Sequence, residues 1–263
     1  MSKFAHSHDA TMRQIEIANR LNTGEMEMNQ IKVLDQGYVA QIDHWGSDEA
    51  IIEAARMSVD AGFVSWDPYP GHPKGDAGLL RYLWEHKHST PFEMAGMVIE
   101  VKAPIFVFRE WHRHRTQSYN EMSGRYIALP DENYMPTLDR IMDGANIAST
   151  NRQASGSGVM LAEADALTWL AALADVYEHA QKVYELGLVI GVPKELARLP
   201  VPVARYSRMR ASANLRNWLA FLSLRLPKNA QWEIRQFAQE VGGLFETQFP
   251  RTYALFMEAF PNG

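Results

Sequence analysis

Residue types suited to chemistry are concentrated in one polar stretch, Phe108 to Tyr126, with the sequence FREWHRHRTQSYNEMSGRY. It holds Arg109, Arg113, Arg115 and Arg125 together with His112 and His114. Arginine presents a planar fork that grips phosphate through paired N–H donors. Such a cluster in an acidic chain points to a pocket for a small phosphorylated ligand. The alternative is a solvated face, salt-bridged through Glu110 and Glu121. Ser123-Gly124-Arg125 adds a hydroxyl, a backbone that a ligand can approach closely, and another guanidinium. A second polar patch is HKHSTPFE at 86–93. Its His86 and His88, with His112 and His114, make two H-x-H pairs that raise the question of zinc. Neighbouring arginines and lysine repel a divalent cation, and no carboxylate stands at a tight ligand spacing, so no metal is expected.

The rest of the composition removes options. Cysteine is absent from all 263 residues. No disulfide, thiolate-based metal site or thiolate nucleophile can form. Lysine and arginine number 26 against 31 acidic residues, a net charge of −5, the opposite sign from a general nucleic-acid binder. No apolar run reaches the ~18 residues of a membrane span. The first residues lack the apolar core of a secretion signal. A cytoplasmic protein with neither a nucleic-acid partner nor a membrane partner is expected.

The elements that must position the polar stretch follow from pattern. Residues 1–30 read as an extension outside the core, with a short helical pattern at Met12, Ile15, Ile17 and Leu21. Ile31 to Ile42 predicts a strand pair. Ser47 to Ser58 predicts a helix capped by serine, with acidic residues in its first turn. Residues 64–76 hold three prolines and two glycines and read as loop, followed by a helix at 77–87. Met97 to Phe108 reads as a long strand, interrupted or at an edge at Pro104. If Trp111 continues that pattern, His112 and His114 share one face and Arg113 and Arg115 the other. Residues 142–158 read as a surface loop, 161–187 as a helix, Pro193 as the first residue of a short helix ending before Pro200. Asn214 reads as the cap of a helix through Leu224, and a final helix spans about 230–247. The fold class expected is mixed α/β with substantial helix.

Arg113-His114-Arg115, seven residues, then Ser123, resembles the R-H-R-x7-S signature of flavin-dependent thymidylate synthases. The surrounding SYNEMSGRY, the upstream HSTPFE, and the downstream NLRNWLAFLSLR and AQWEIRQFA resemble further elements of that family in the same order. The likeness runs from about Ile31 to about Phe260, so a domain at 31–260 is expected after the 1–30 extension. The resemblance implies a single α/β domain with a central sheet and long helices. It implies a homotetramer whose active sites are shared between subunits. It also implies bound FAD and the reductive methylation of dUMP to dTMP, with methylenetetrahydrofolate as one-carbon donor, NADPH as reductant and tetrahydrofolate as product.

Matched position by position, the resemblance places Arg113, His114, Arg115 and Glu121 on FAD. Thr90 reaches FAD from a neighbouring subunit, His88 lies near the flavin, and Asn214, Leu215, Arg216 and Ser58 complete the set. It places dUMP against Glu110, Trp111, His112 and Arg113, against Glu121, Met122, Ser123, Gly124 and Arg125, and against Arg198 and Arg225. Ser123, Gly124 and Arg125 are expected at the phosphate. For Arg198 and Arg225 the alternative is a surface cation at a helix C-terminus, where the helix dipole favours it. Two positions depart from the family's pattern: Glu110, where glutamine is frequent, and Ala220, where asparagine or histidine is.

The absent cysteine bears on mechanism. Carbon 5 of uracil becomes nucleophilic either by thiolate addition at carbon 6 or by electrostatic polarisation of the ring, and only the second is open here. Arg225 is the residue expected to stabilise the charge that develops at the N3/O4 edge. Ser123 has no Ser–His–Asp spacing around it and is expected to bind, not to attack. A metal-dependent hydrolase and a non-catalytic nucleotide- or RNA-binding protein are the rival readings.

Overall fold

The computed structural model describes residues 30–145 and 161–260. The 1–30 extension, apart from Gln30, and most of the expected 142–158 loop lie outside the described residues. Within them, the hairpin is formed by β1 (Gln30–Val33) and β2 (Gly37–Trp45). The first helix among the described residues, α1 (Asp48–Arg56), starts where Ser47 Oγ accepts from the Ala50 amide at 3.2 Å. Its first residue, Asp48, is buried and accepts from the backbone amides of Arg251 and Thr252, at 2.8 and 3.1 Å. That carboxylate therefore satisfies free N–H groups at the start of a second helix.

After the proline- and glycine-rich loop comes α2 (Gly75–Glu85), and then a 3-10 turn at Thr90–Glu93. β3 (Gly96–Pro104) follows, with α3 (Ile105–Trp111) directly after it. Here the structure corrects the long-strand expectation. The strand stops at Pro104 and the chain turns helical. Val107, Phe108 and Trp111 are buried at helical spacing, not in alternation. His112 and His114 thus follow a helix end, and the two-faced strand arrangement of the histidines and arginines does not exist.

β4 (Ser118–Glu121) precedes α4 (Leu138–Ala145), whose start is capped by Thr137 Oγ1 accepting from the Arg140 amide. Residues 142–145 are accordingly the end of a helix and not loop. The long α5 (Glu163–Val189) and the short α6 (Lys194–Ala197) come next, with Pro193 at the cap position and not the first helical one. β5 (Tyr206–Asn214) runs into α7 (Leu215–Arg225), capped by Asn214 as expected. α8 (Trp232–Gln248) and α9 (Pro250–Ala259) close the chain.

The five strands form one sheet in the order β1-β2-β3-β5-β4, giving the mixed α/β class expected. The described chain clusters into two compact units. The first comprises residues up to Gly37, Lys102–Arg109 and Glu121–Arg208; the second comprises Tyr38–Val101, Glu110–Asn120 and the chain from Met209 onward. In the first, Tyr184 is buried with Ala128, Leu188 and Ala197, and its hydroxyl accepts from the Leu129 amide at 3.0 Å. In the second, Trp111 stacks on Phe221 at 4.6 Å between ring centroids, with Trp218 and Phe237 edge-on to it. The Trp218 indole N–H donates to the Met97 carbonyl, which ties α7 to β3.

Candidate active site

Arg225, the last residue of α7, is held from two directions within the second unit. Its Nε donates to His114 Nε2 at 2.9 Å. Its Nη1 donates to Glu110 Oε2 at 2.9 Å, and its Nη2 to the Glu110 carbonyl at 3.1 Å. The guanidinium carries five N–H donors, so these three bonds leave two unassigned, one on each terminal nitrogen. The side chain is 15% exposed, so the charge sits in a restricted and partly dry setting.

His114 is shaped by the same contact. Burial, and then the Arg225 charge, lowers its pKa to about 4. The ring packs edge-on against Phe221 at 4.8 Å. The turn that carries it is fixed by Tyr119, whose hydroxyl donates to the carbonyls of Trp111 and His114 at 3.1 and 2.7 Å. Burial pushes the Tyr119 hydroxyl up to about 12, so it stays a donor. His112 Nε2 lies 3.1 Å from Met209 Sδ, and its ring meets Tyr119. Trp111 is completely buried and its indole N–H donates to Gln117, so its ring is not open to a ligand. Arg113 and Arg115 are exposed.

The remaining expected substrate residues belong to the first unit. Ser123 Oγ accepts from the Arg125 amide at 3.3 Å, in a turn that brings the Tyr126 amide back to the Ser123 carbonyl. A local turn bond occupies this hydroxyl, and among the described residues no histidine faces it. Gly124 is buried, and a Cβ there would press on the Leu129 side chain at 3.2 Å. Arg125 Nε pairs with Glu195 of α6 at 3.2 Å, and Lys194 donates to the Tyr126 carbonyl. The short helix that pins the 123–126 turn ends on exposed Arg198. The turn that carries Ser123 and Arg125 is thereby joined to the four-residue helix that Arg198 ends. Glu121 accepts from Ser207 Oγ at 2.9 Å, and the Met122 amide donates to the Arg208 carbonyl. The expected nucleotide residues are thus divided, with Glu110–Arg113 and Arg225 in one unit and Glu121–Arg125 and Arg198 in the other.

A cavity of about 590 Å³ opens in the second unit. Leu83, Trp84, Phe92, Leu219 and Phe256 provide apolar walls, and Lys87, His88, Ser89 and Arg216 supply polar groups. Its size and lining match a site for a flat aromatic group with an anionic arm. Arg216 Nη1 donates to Glu93 Oε1 at 2.5 Å, which joins the start of α7 to the Thr90–Glu93 turn. Thr90 is exposed on that turn. Asn214 Oδ1 accepts from the Asn217 amide at 3.0 Å, and Leu215 is buried with its amide on the Ala95 carbonyl. Ala220 lies in the cavity wall, where a small side chain leaves space. Ser58 is exposed on a 3-10 turn at the end of α1, its hydroxyl donating to the Ala55 carbonyl. Sequence reasoning missed Lys87 and Tyr119, and it weighed Glu93 only beside the H-x-H pairs as a metal ligand, not as the partner of Arg216. Lys87 has φ of +58°, an unfavourable backbone for a lysine and a mark of local strain at the cavity rim.

Among the described residues no group of three histidine or acidic side chains could hold a metal ion, and no helix is long and apolar enough to cross a membrane. A flavin-dependent thymidylate synthase of Thermus thermophilus is 40% identical over 233 residues, 89% of this chain and 80% of the relative. One from Thermosipho melanesiensis is 37% identical over 229 residues, 87% of this chain and 94% of the relative. The crystal structure of the UMP/dUMP methylase PolB from Streptomyces cacaoi, bound with 5-Br dUMP, superposes with a TM-score of 0.73. It is 31% identical, and the match covers 87% of this chain and 97% of that one. Residues 41–251 match the model of the thymidylate synthase complementing protein family. By that match and by the identity of its relatives across most of their length, the chain belongs to the thymidylate synthase complementing protein family.

Proposed function

We propose that this chain is an FAD-dependent thymidylate synthase. It methylates carbon 5 of dUMP to give dTMP, with methylenetetrahydrofolate as one-carbon donor, NADPH as reductant and tetrahydrofolate as the other product. The observation that carries the reading is the fixed guanidinium of Arg225, held by Glu110 and His114 with two donors still available. With no cysteine in the chain, activation of carbon 5 falls to charge stabilisation. Arg225 donates to O4 and stabilises negative charge as it develops there, with little reorganisation because its position is already set. It holds its proton throughout, since a guanidinium does not deprotonate in proteins.

Ser123, the Gly124 backbone, Arg125 and Arg198 take the phosphate. The Arg125, Tyr126 and Ile127 amides are used by the turn's own bonds to Ser123, so the phosphate contacts fall to the Gly124 amide and the Ser123, Arg125 and Arg198 side chains. The cavity beside Arg216 fits FAD: its apolar walls suit a flat ring system, and Arg216 with Lys87 suits the phosphates. When bound, the flavin supplies the reducing equivalents. His88 and Arg216 orient it from the cavity wall, while Arg113, His114, Arg115, Thr90, Asn214 and Ser58 complete its contacts within a homotetramer.

A visible spectrum of the purified protein, followed by an assay of dTMP formation from dUMP, tests the reading. Flavin absorbance and folate-dependent dTMP formation are expected. A colourless protein that forms no dTMP with added FAD overturns it.

A further inference from the structure

His114 and Arg225 constrain each other more tightly than a pair of binding residues would require. Arg225 Nε can only donate, so at 2.9 Å His114 Nε2 has to present its lone pair. An imidazole with a lone pair on Nε2 is neutral and carries its one proton on Nδ1. Among the described residues, Nδ1 has no hydrogen-bond partner. We infer that His114 is locked in the neutral Nδ1–H form, acting as a positioning residue for Arg225 through Nε2 and as a one-way donor toward a ligand through Nδ1.

Two further features support the lock. The charged groups facing the ring are the Arg225 guanidinium and, behind it, Glu110, which is paired to Arg225. A protonated ring would set two cations against each other, and burial opposes its charge as well; together these hold its pKa at about 4. The Phe221 ring packs edge-on against the imidazole at 4.8 Å, a contact that favours one ring orientation. A group in this state cannot serve as an acid or base near neutral pH. It can offer a single N–H of fixed direction, which suits an acceptor atom of a cofactor ring. This last step rests on the proposed function; the lock itself does not.

The test is nitrogen NMR on the purified protein labelled with ¹⁵N at its histidine rings, with the His114 signals assigned by their loss in His114→Gln. The expected result is an unprotonated Nε2 and a protonated Nδ1, unchanged from about pH 6 to about pH 8. In Arg225→Ala the lock is expected to fail: the ring samples both tautomers and its pKa rises above about 4, with burial still holding it below the ordinary 6.5. A proton on Nε2 in the wild type, or titration of His114 between those pH values, overturns the inference even if the protein makes dTMP. The locked signature in a protein that makes no dTMP supports the inference and removes the proposed function.

Discussion

Arg216 Nη1 and Glu93 Oε1 meet at 2.5 Å across 123 positions of sequence, joining the first turn of α7 to the Thr90–Glu93 turn beside the cavity. Both side chains retain solvent contact, at 53% and 32% exposure, so the pair adds under about 1 kcal/mol to folding. Its larger effect is to aim Arg216. Glu93→Gln is therefore expected to leave the melting temperature within a few degrees of wild type, about what such a pair is worth. The flavin retained through purification should fall, read as the ratio of visible to ultraviolet absorbance. Full flavin content in the variant would show that Arg216 needs no such partner.

Arg225→Ala removes the guanidinium from the centre of the Glu110–His114 contact. By analogy with loss of one preorganised donor, turnover should fall on the order of 100-fold or more. Arg225→Lys should not restore it, because a single ammonium lacks the planar fork that meets His114 and both Glu110 oxygens at once. Steady-state rates of dTMP formation check both variants, and near-wild-type turnover in either one removes this role.

Ser123→Ala should remain active. The hydroxyl's bond is a local turn contact with the Arg125 amide, worth about 1 kcal/mol. Weaker dUMP binding with measurable dTMP formation is the expected outcome. Complete loss of product with dUMP binding intact would instead make Ser123 a participant in bond formation.

Trp111→Ala should destabilise the fold by about 3–5 kcal/mol, the range for removing a large aromatic from a core. The ring is completely buried and stacked on Phe221, and its N–H is held by Gln117. Denaturant unfolding measures the effect. A stable Trp111→Ala protein with lost dUMP affinity would mean that the side chain reaches substrate after all.

The depressed pKa of His114 carries a stability signature with a defined sign. The folded value is about 4 against an ordinary 6.5, so in that window the unfolded chain takes up a proton that the folded chain refuses. Its contribution is therefore complete above about pH 6.5 and is lost as pH falls toward 4, by at most about 1.4 kcal/mol per pH unit. The difference in unfolding free energy between wild type and His114→Gln, followed from neutral to acid pH, isolates it. A pH-independent difference contradicts the assignment.

The helix caps were legible in the sequence because their physics is local. Ser47 and Asn214 each accept from an amide three residues on, as their side chains predict. The hairpin and the long α5 were equally readable from periodicity. β5 was missed although its signal is present: Met209, Ala211 and Ala213 are buried, while Arg208, Arg210 and Ser212 alternate with them. The arginines and the small alanines mask an apolar strand that a period-two count would have found. The switch from strand to helix at Pro104 was less accessible, because Ile105 to Phe108 is β-branched and aromatic throughout. Backbone bonds from Ile105 and Phe106 to the carbonyls of Arg205 and Val203 decide it, over about a hundred residues of separation. At the site, motif order named Arg225 and His114. Only the folded chain shows that they bond to each other.

The donor count on Arg225 has a consequence for which base is accepted. Its two remaining groups are both N–H, and a guanidinium offers no lone pair. Under the proposed function, uracil turns a carbonyl oxygen toward them at position 4. Cytosine turns an amino group, whose hydrogens would face those of Arg225 and leave donors on both sides unsatisfied, a mismatch that costs more than a lost contact. Under the same proposal, the side chain that stabilises charge at position 4 also disfavours an amino group there, so discrimination against dCMP begins at Arg225.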